Sequence, residues 1–461
     1  MSTETIAAIA TGMTNSGIGI VRISGEESFP IIDRIYRSKN GTKKISESAS
    51  HTVHYGYICD GEKVIDEVMV LILKSPNTYT MEDTVEIDCH GGALVLKRVL
   101  ETVLKYGARP AEPGEFTKRA FLNGRIDLSQ AESVIDVINA QNDFALESSL
   151  HQLQGTVREK IREIRGAILH EIAFIESALD DPEHISIDGY GEQLLKQLEL
   201  LSFQIQELLL SSENGELLKE GINTVIAGKP NVGKSSLMNA LTGKDRAIVT
   251  EVAGTTRDIL EEQINLNGIA LNVTDTAGIH DTEDTVEQIG VEKARASLDR
   301  ADLVIYVADV SAPLDQDDKR IFDFLKEKKV IVLLNKSDLQ QVISQEEICS
   351  LTGENNYPVL SISAKEGTGI KELEQVIRKM FFQGEISYNN EIVITNVRQK
   401  SALKQALESL DMVRKSVQDQ MPEDFYSIDL VNACDALGKI TGESVGEDLV
   451  NEIFSKFCMG K

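Results

Sequence analysis

Residues 222–242, INTVIAGKPNVGKSSLMNALT, decide the fold of the central part of this 461-residue chain. An apolar run ends at Gly228, and from there the chain follows the phosphate-loop pattern G-x-x-x-x-G-K-S up to Ser235. A helical segment follows at once, as the pattern requires. Backbone N–H groups of such a loop surround phosphate oxygens, while Lys234 reaches the outer phosphates and the serine hydroxyl suits Mg²⁺. The stretch predicts a nucleotide-binding α/β domain.

Four further motifs follow in the order that a guanine-nucleotide switch requires. They are GTTRD (254–258), DTAG (275–278), NKSD (335–338) and SAK (363–365). Thr256 is a second candidate ligand for Mg²⁺, Asp275 can hold the hydration shell of that ion, and Gly278 can donate its N–H to the terminal phosphate. Asp338 can accept two hydrogen bonds from the guanine edge that adenine cannot supply. Together the five motifs, each placed after a predicted strand, indicate a GTPase domain.

The position after DTAG departs from the best-known small GTPases, because Ile279 stands where a glutamine would orient the attacking water. Hydrolysis then needs another device: Arg257 in cis, an arginine from a partner, or a bound monovalent cation. Asn231 has a carbonyl oxygen of the kind that binds such a cation, or it is simply a turn residue before a helix. Glu287 could position water, or it is a solvated helix charge.

Composition limits the class of protein and its partners. The chain has 74 acidic and 47 basic residues, a net charge of -27, and an ordinary globular share of 41% hydrophobic residues. Such a charge repels RNA on average, so RNA chemistry would involve a second, basic protein. The start of the chain lacks the basic residues of a secretory signal, no apolar run is long enough to span a membrane, and the five cysteines form no CxxC pair. We therefore expect a cytoplasmic protein.

Four compositional regions are predicted. Residues 1–118 mix strand and helix, with a hairpin around Asp60-Gly61; residues 119–220 and 381–461 are helical; and residues 221–380 alternate strands with helices. An α/β domain inserted into a helical one explains this order. One helical face is predicted for a set of apolar residues spaced three and four apart: Leu150, Leu153, Val157, Ile161, Ile164, Ile168, Ile172, Ile175 and Leu179.

Motifs outside the nucleotide-binding region resemble a known family. They are TETIAAIAT (3–11), GIGIVRISG (17–25), CHGG (89–92), GEFTKRAFLNGRIDLSQAE (114–132) and FCMGK (457–461). With the inserted GTPase, they resemble the tRNA modification GTPase MnmE (TrmE) family over essentially the whole chain. The resemblance implies a multidomain α+β and α/β protein: a folate-binding-like N-terminal α+β domain, a helical bundle domain and an inserted Ras-like P-loop GTPase domain.

The resemblance also implies a function. The family acts with a flavoprotein, MnmG (GidA), to install an aminomethyl-type group at carbon 5 of the wobble uridine of certain tRNAs. Its N-terminal domain dimerises and binds 5-formyltetrahydrofolate, and the folate contacts would fall on Arg22, Glu86, Arg125 and Lys461. The family often has Lys where Arg125 stands, which keeps the charge but changes the geometry.

In the GTPase domain the resemblance implies a potassium ion held by Asn231, Thr250, Val252 and Thr255, a catalytic Glu287 acting through water, and Mg²⁺ on Ser235 and Thr256. Cys458 is implicated in the modification, although a free cysteine is also commonly a small packing residue. The predicted GTP and cation contacts are Asn231, Val232, Gly233, Lys234, Ser235, Ser236, Thr250, Glu251, Val252, Ala253, Gly254, Thr255, Thr256, Asp275, Thr276, Ala277, Gly278, Asn335, Lys336, Asp338, Ser363, Ala364 and Lys365.

A hypothesis of another class treats the chain as a regulatory switch whose GTP state only scaffolds a ribosomal or signalling partner. Such a switch needs neither a folate site nor the terminal Cys-Gly-Lys elements of FCMGK (457–461). The flanks of the GTPase domain therefore favour the enzyme.

Overall fold

The computed structural model of the chain describes residues 4–39, 44–140, 142–186, 189–242, 261–266, 268–275, 298, 300–325, 328–344, 346–348, 357–382, 393–457 and 460. The chain forms two compact units. The first comprises Met1–Ile138, Leu150–Ser202 and Ser401–Lys461, and the second comprises Asn139–Ser149 and Phe203–Lys400. The four-part division made from the sequence is finer than this and stays a prediction.

The described strands and helices are as follows. The strands are β1 (Ile6–Ile9), β2 (Ser16–Ser24), β3 (Tyr36–Ser38), β4 (Thr52–Asp60), β5 (Lys63–Leu73), β6 (Thr84–Gly91), β7 (Arg109–Pro110), β8 (Ile222–Ala227), β9 (Glu261–Leu266), β10 (Ile269–Asp275), β11 (Leu303–Asp309), β12 (Val330–Asn335) and β13 (Val359–Ser361). The helices are α1 (Ser28–Ile35), α2 (Ala93–Lys105), α3 (Glu115–Leu122), α4 (Leu128–Asn139), α5 (Asp143–Leu153), α6 (Thr156–Asp180), α7 (Tyr190–Glu220), α8 (Lys234–Thr242), α9 (Gln316–Phe324), α10 (Ile370–Phe382), α11 (Val397–Gln418), α12 (Asp424–Thr441) and α13 (Glu447–Ser455).

A seven-stranded sheet in the order β3-β4-β5-β6-β2-β1-β7 organises the first part of the first unit. The predicted hairpin is confirmed, because β4 and β5 pair antiparallel with Asp60 opposite Lys63. Gly61, in the turn, has a φ of 63°, a left-handed conformation that glycine adopts without steric cost. Alternation along β5 buries Val68 and Val70 in a core that α1 and α2 also line, while the other face of the strand turns outward.

The long helix α6 carries most of the apolar face that the sequence predicts. Its isoleucines at positions 161, 164, 168 and 175 are fully buried. The ends of the predicted face differ: Gly155, with a φ of 97°, separates α5 from α6, so Leu150 lies on another helix and is 39% exposed. Leu179 is 45% exposed, and Ala178 is buried instead. Among the described helices, none combines the length and apolar character needed to cross a membrane.

The second unit has a six-stranded sheet in the order β13-β12-β11-β8-β10-β9. Its pairs are parallel except β10 with β9, which confirms the predicted mostly parallel sheet. Two apolar cores cover its two faces. One contains Leu237 of α8 and Leu373 of α10, and the other contains Phe322 of α9. Because both faces are covered, β11 and β12 are apolar at nearly every position.

A buried ion-pair cluster joins β7 to α3 in the first unit. Glu115, which is 7% exposed, accepts hydrogen bonds from Arg109 at 2.6 Å and from Arg119 at 3.0 Å. Arg119 also reaches Glu82 at 2.9 Å. Burial opposes the ionisation of Glu115, but the two arginines and the backbone N–H of Glu112 outweigh burial and lower its pKa from 4.5 to about 2.

We predict that this cluster stabilises the first unit above pH 4.5. Because the folded-state pKa of Glu115 lies below its unfolded value, the stabilisation is present above the unfolded pKa and is lost as pH falls from 4.5 to about 2. Glu115→Gln should reduce the free energy of unfolding at pH 7 by about 3 kcal/mol. The difference from wild type should shrink on acidification, as followed by urea unfolding with hydrogen exchange to isolate this unit.

Glu101→Gln is the matched control, since Glu101 is 47% exposed and pairs only with neighbours on α2 in the part of the chain that is described. Its effect should be small at every pH. A Glu115→Gln effect that does not change between pH 7 and pH 3 would contradict the assignment.

Candidate functional site

The phosphate loop connects β8 to α8 and depends on residues with unusual backbone angles. Gly228 and Gly233 have φ values of 148° and 98°, and Asn231 has a φ of 64°. A Cβ on Gly233 would stand 2.2 Å from Nδ2 of Asn335, and one on Gly228 would stand 2.3 Å from the carbonyl oxygen of Val307. Both glycines are therefore required by close packing as well as by conformation. With these backbone angles, the N–H groups of the loop can surround phosphate oxygens.

Lys234 begins α8 and is 6% exposed. Its ammonium group donates to the carbonyl oxygens of Gly228 at 2.7 Å and of Lys229 at 2.9 Å, which holds it over the loop. Ser235, the next residue, is exposed, so its hydroxyl can reach a metal ion in front of the helix N-terminus. The positive end of the helix dipole favours an anion at the same place.

Asn335 joins the phosphate loop to the loop that carries SAK (363–365). Its Nδ2 donates to the carbonyl oxygen of Val232 at 2.8 Å, and its Oδ1 accepts from the N–H of Ala364 at 3.0 Å. The residue is 2% exposed, so both bonds are sheltered from water. Residues far apart in sequence are thereby held at one edge of the sheet.

Asp338 lies on the exposed side of the same edge. Its Oδ1 accepts a hydrogen bond from the hydroxyl of Ser363 at 2.7 Å, and Ser363 is itself fully buried. The Ser363 hydrogen bond is the main reason that the pKa of Asp338 is lowered, and Lys365 and Lys336 add positive charge nearby. The carboxylate is ionised at neutral pH and can accept hydrogen bonds from a donor edge.

Lys336 has a left-handed backbone, with a φ of 65°, and donates from Nζ to Oδ2 of Asp309. Asp309 ends β11 and also accepts from the backbone and hydroxyl of Ser311. Burial opposes the ionisation of Asp309, but Lys336 and Ser311 outweigh burial and lower its pKa. The lysine of NKSD (335–338) is thus oriented by a carboxylate on the neighbouring strand.

Several predicted GTP, metal and catalytic residues lie outside the described part of the chain. They are Thr250, Glu251, Val252, Ala253, Gly254, Thr255, Thr256, Thr276, Ala277, Gly278, Glu287, Cys458 and Lys461, together with Arg257 and Ile279. Asp275 is described through its backbone only, at the end of β10 beside β8.

A second cluster lies on the sheet of the first unit and contains the other predicted site residues. Arg22 on β2 and Glu86 on β6 are direct cross-strand partners, with Nε to Oε1 at 2.7 Å. The guanidinium of Arg125 lies 4.4 Å from the ring centroid of Tyr79, and that of Arg22 lies 5.6 Å from it. The carbonyl oxygen of Gly460 is 3.4 Å from Nη1 of Arg22, so the end of the chain reaches the same cluster.

Comparisons with known proteins cover nearly the whole chain. A family model described as the MnmE helical domain matches residues 128–458, and one described as the GTP-binding protein TrmE N-terminus matches residues 5–125. A tRNA modification GTPase MnmE from Lachnoclostridium phytofermentans is 60% identical over 100% of both chains, and one from Acetivibrio thermocellus is 49% identical over 99% of both. The chain belongs to the MnmE family.

Among solved structures, the chain is similar to Aquifex aeolicus Era bound to GDP and AlF4⁻. The two share 30% identity over 41% of this chain and 66% of the Era chain, with a TM-score of 0.29.

As a member of the MnmE family of tRNA modification GTPases, the chain binds and hydrolyses GTP. The phosphate loop and NKSD (335–338) are its described parts with the matching chemistry.

Two residues of these clusters lie outside every sequence motif of this MnmE-family chain. Tyr79, whose ring is near the guanidinium groups of Arg22 and Arg125, lies in the polar loop SPNTYTMED (75–83), where an isolated aromatic residue was the available signal. Asp309 ends an apolar strand, and a carboxylate at a strand end was the signal there. Neither residue belongs to a known sequence motif, because each contacts a residue that is distant in sequence.

We predict that Asp338→Asn changes the base preference of the enzyme. An amide reverses one donor and acceptor position, so it should lose a hydrogen bond to guanine and gain one to the 2-oxo group of xanthine. The kcat/KM for GTP should fall by at least roughly a hundredfold, and that for xanthosine triphosphate should exceed it.

Glu372→Gln provides a matched control, because Glu372 is an exposed acid on α10 of the same unit. It should leave both kcat/KM values unchanged. Unaltered preference in Asp338→Asn would remove this residue from the base pocket.

Proposed function

We propose that this chain hydrolyses GTP to drive a conformational step in the 5-carboxymethylaminomethyl-type modification of the wobble uridine of tRNA. It would act in the cytoplasm with a flavoprotein partner, MnmG, and use the one-carbon unit of 5-formyltetrahydrofolate. The observation that carries the proposal is the presence, in one chain, of a phosphate loop and of the cluster around Arg22, Glu86 and Tyr79. A purely regulatory switch, the other candidate, would need only the first.

Mg²⁺ and GTP fit the donor set of the second unit. Ser235 and Thr256 would hold Mg²⁺, Asp275 would hold its water shell, and Lys234 would neutralise the outer phosphates. In the described geometry Lys234 is bonded to neutral carbonyl oxygens of the loop. Turning its ammonium group toward a phosphate would therefore break two hydrogen bonds to neutral acceptors.

Asn231 supports a potassium site beside the phosphates, together with Thr250, Val252 and Thr255. It is exposed and left-handed, which places the amide of its side chain on the solvent side of the loop. A potassium ion would supply the positive charge that an arginine supplies in other GTPases. Glu287 would then position the attacking water, in place of the glutamine that Ile279 replaces.

We predict that Asn231→Ala abolishes potassium stimulation of GTP hydrolysis. The ratio of kcat in KCl to kcat in NaCl, at equal ionic strength, should fall to about one because an oxygen ligand is lost. Asn231→Gly is the matched variant, since glycine keeps the left-handed backbone at low cost while alanine does not.

Both variants should lose the stimulation if the side-chain oxygen binds the ion. Retained stimulation in Asn231→Gly would mean that the backbone, and not the amide, is what matters at this position.

The cluster in the first unit suits a pterin that carries a glutamate tail. A pterin ring stacks well on aromatic rings and guanidinium planes, and the guanidinium groups of Arg125 and Arg22 lie 4.4 Å and 5.6 Å from the ring centroid of Tyr79. Glu86 could accept hydrogen bonds from the pterin edge, and Lys461 would add a cation for the tail. When bound, the folate would supply the one-carbon unit.

A homodimer of the first units is supported by the outward face of the same sheet. Tyr55 on β4 and Met69 on β5 are opposite one another and are 52% and 40% exposed, and Val53 beside them is 59% exposed. Arg22 and Glu86 lie on the same face by register. Exposed apolar side chains grouped in this way on one face of a sheet are commonly covered by a second copy.

The net charge of -27 favours a partner that holds the tRNA. Phosphate contacts dominate the affinity of proteins for nucleic acid, and a strongly acidic chain supplies few of them. The flavoprotein would therefore carry most of the tRNA contacts. Cys458 has two candidate roles. It would either act near the uridine, with covalent catalysis as one form of that role, or serve as a small packing residue.

We predict that deleting the gene removes the 5-carboxymethylaminomethyl-type group from wobble uridines, as measured by nucleoside analysis of total tRNA. The wild-type chain should restore it, whereas Arg22→Gln should not, because the guanidinium that flanks Tyr79 is lost. Arg98→Gln, on the exposed side of α2, should restore it fully.

Unchanged wobble uridines in the deletion strain would refute the proposed function. Full restoration by Arg22→Gln, with folate binding retained, would refute only the folate site.

A further inference from the structure

Lys229, the second residue of the phosphate loop, makes contacts that neither the motif nor the family resemblance assigns. Its Nζ lies 2.8 Å from Oδ2 of Asp318 and 2.9 Å from Oδ2 of Asp315. Burial of the ammonium opposes its charge, but these two carboxylates outweigh burial and raise the pKa of Lys229. The loop is therefore tied by an ion pair to the start of α9.

Asp318, the partner of Lys229 on α9, is held in place by several hydrogen bonds. Asp318 is fully buried. Its Oδ1 accepts a hydrogen bond from the hydroxyl of Tyr306, and its Oδ2 accepts one from the backbone N–H of Asp315 at 2.8 Å. The backbone N–H of Asp318 in turn donates to Asp315 at 3.3 Å, which makes a reciprocal cap at the helix N-terminus. Tyr306, on β11, is 1% exposed, and its ring contacts that of Phe322 in a tilted arrangement with the centroids 4.5 Å apart.

The pair acts on the part of the loop that holds Lys234. The carbonyl oxygen of Lys229 accepts a hydrogen bond from Lys234 at 2.9 Å, while the side chain of Lys229 points to α9. Asn335 fixes the loop at Val232, three residues further on. A cavity of about 170 Å³, lined by Lys229, Asp318 and Lys336 among others, lies between this loop and the segment that follows β11.

We propose that Lys229 and Asp318 form a positioning pair that keeps the phosphate loop in its binding shape. With Asn335, the pair holds the loop at two points, so that the carbonyl groups of Gly228 and Lys229 stay where Lys234 uses them. Without it the loop populates other shapes, and the apparent dissociation constant rises in inverse proportion to the competent fraction. The inference rests on this loop being the GTP site, which the Asp338→Asn experiment tests separately through the base.

The test measures binding of mant-GDP and mant-GTP to the full-length protein by stopped flow, together with kcat, KM and the melting temperature. Lys229→Gln should raise the Kd of both nucleotides roughly tenfold, mainly through a slower association rate, and raise KM more than it lowers kcat. Lys229→Arg keeps the cation and should stay within about threefold of wild type. Lys371→Gln, an exposed lysine on α10, controls for the loss of one positive charge and should bind normally.

Asp318→Asn separates positioning from simple electrostatics. It removes a negative charge near the phosphates, so long-range attraction alone predicts tighter nucleotide binding. Positioning predicts weaker binding, because the amide carries no charge to pair with Lys229. Its one carbonyl oxygen can also replace only one of the two carboxylate oxygens that accept from Tyr306 and from the N–H of Asp315. If Asp318→Asn does not fold, Lys229→Gln and Lys229→Arg decide the matter.

Three results would overturn the inference. One is a folded Asp318→Asn that binds nucleotides as tightly as wild type or more tightly. Another is a Lys229→Gln protein whose Kd and association rate match those of Lys371→Gln. A lower melting temperature without any change in Kd would also count against it, because the pair would then be structural only.

Discussion

The side chain of Asn335 sets the geometry on which the nucleotide site depends. One buried amide joins Val232 in the phosphate loop to Ala364 in the base loop, at 2.8 Å and 3.0 Å. Each end of the amide satisfies a backbone group that would otherwise be buried without a partner, at a cost of about 1–3 kcal/mol for each lost bond. An aspartate could not donate to Val232, and a leucine could satisfy neither group. The spacing between the phosphate loop and the loop that carries SAK (363–365) therefore depends on the residue type at position 335.

This constraint also explains a glycine. Because Nδ2 of Asn335 would lie 2.2 Å from a Cβ at position 233, the side chain of Asn335 requires glycine there. Their separation in sequence is large, so the two motifs of the family are one packing unit in three dimensions. The first unit shows the same relation between Arg22 and Glu86, which face each other only because β2 and β6 are neighbours in register.

The sequence predicted the features that depend on contiguous residues, and it missed those that depend on register or packing. The phosphate loop, the parallel strands and the Asp60-Gly61 hairpin follow from local patterns. The flanking of Tyr79 by two arginines, and the pairing of Lys336 with Asp309, require the fold itself. The long apolar face beginning at Leu150 was overestimated, because periodicity does not register that Gly155 turns left-handed and ends the helix.

The lysines around the phosphate loop divide by the charge of their partners. Lys229 and Lys336 bond carboxylates, Asp318 and Asp309, so moving either ammonium group would leave a buried or half-buried anion without its cation. Lys234 bonds carbonyl oxygens of the loop, and turning it toward a phosphate has no such cost through those bonds. In a chain of net charge -27, the ion pairs of Lys229 and Lys336 fix these two lysines against carboxylates, and Lys234 bonds the backbone of the loop itself. The proposed roles of these lysines therefore differ: Lys229 would position the loop, and Lys234 would neutralise phosphate charge.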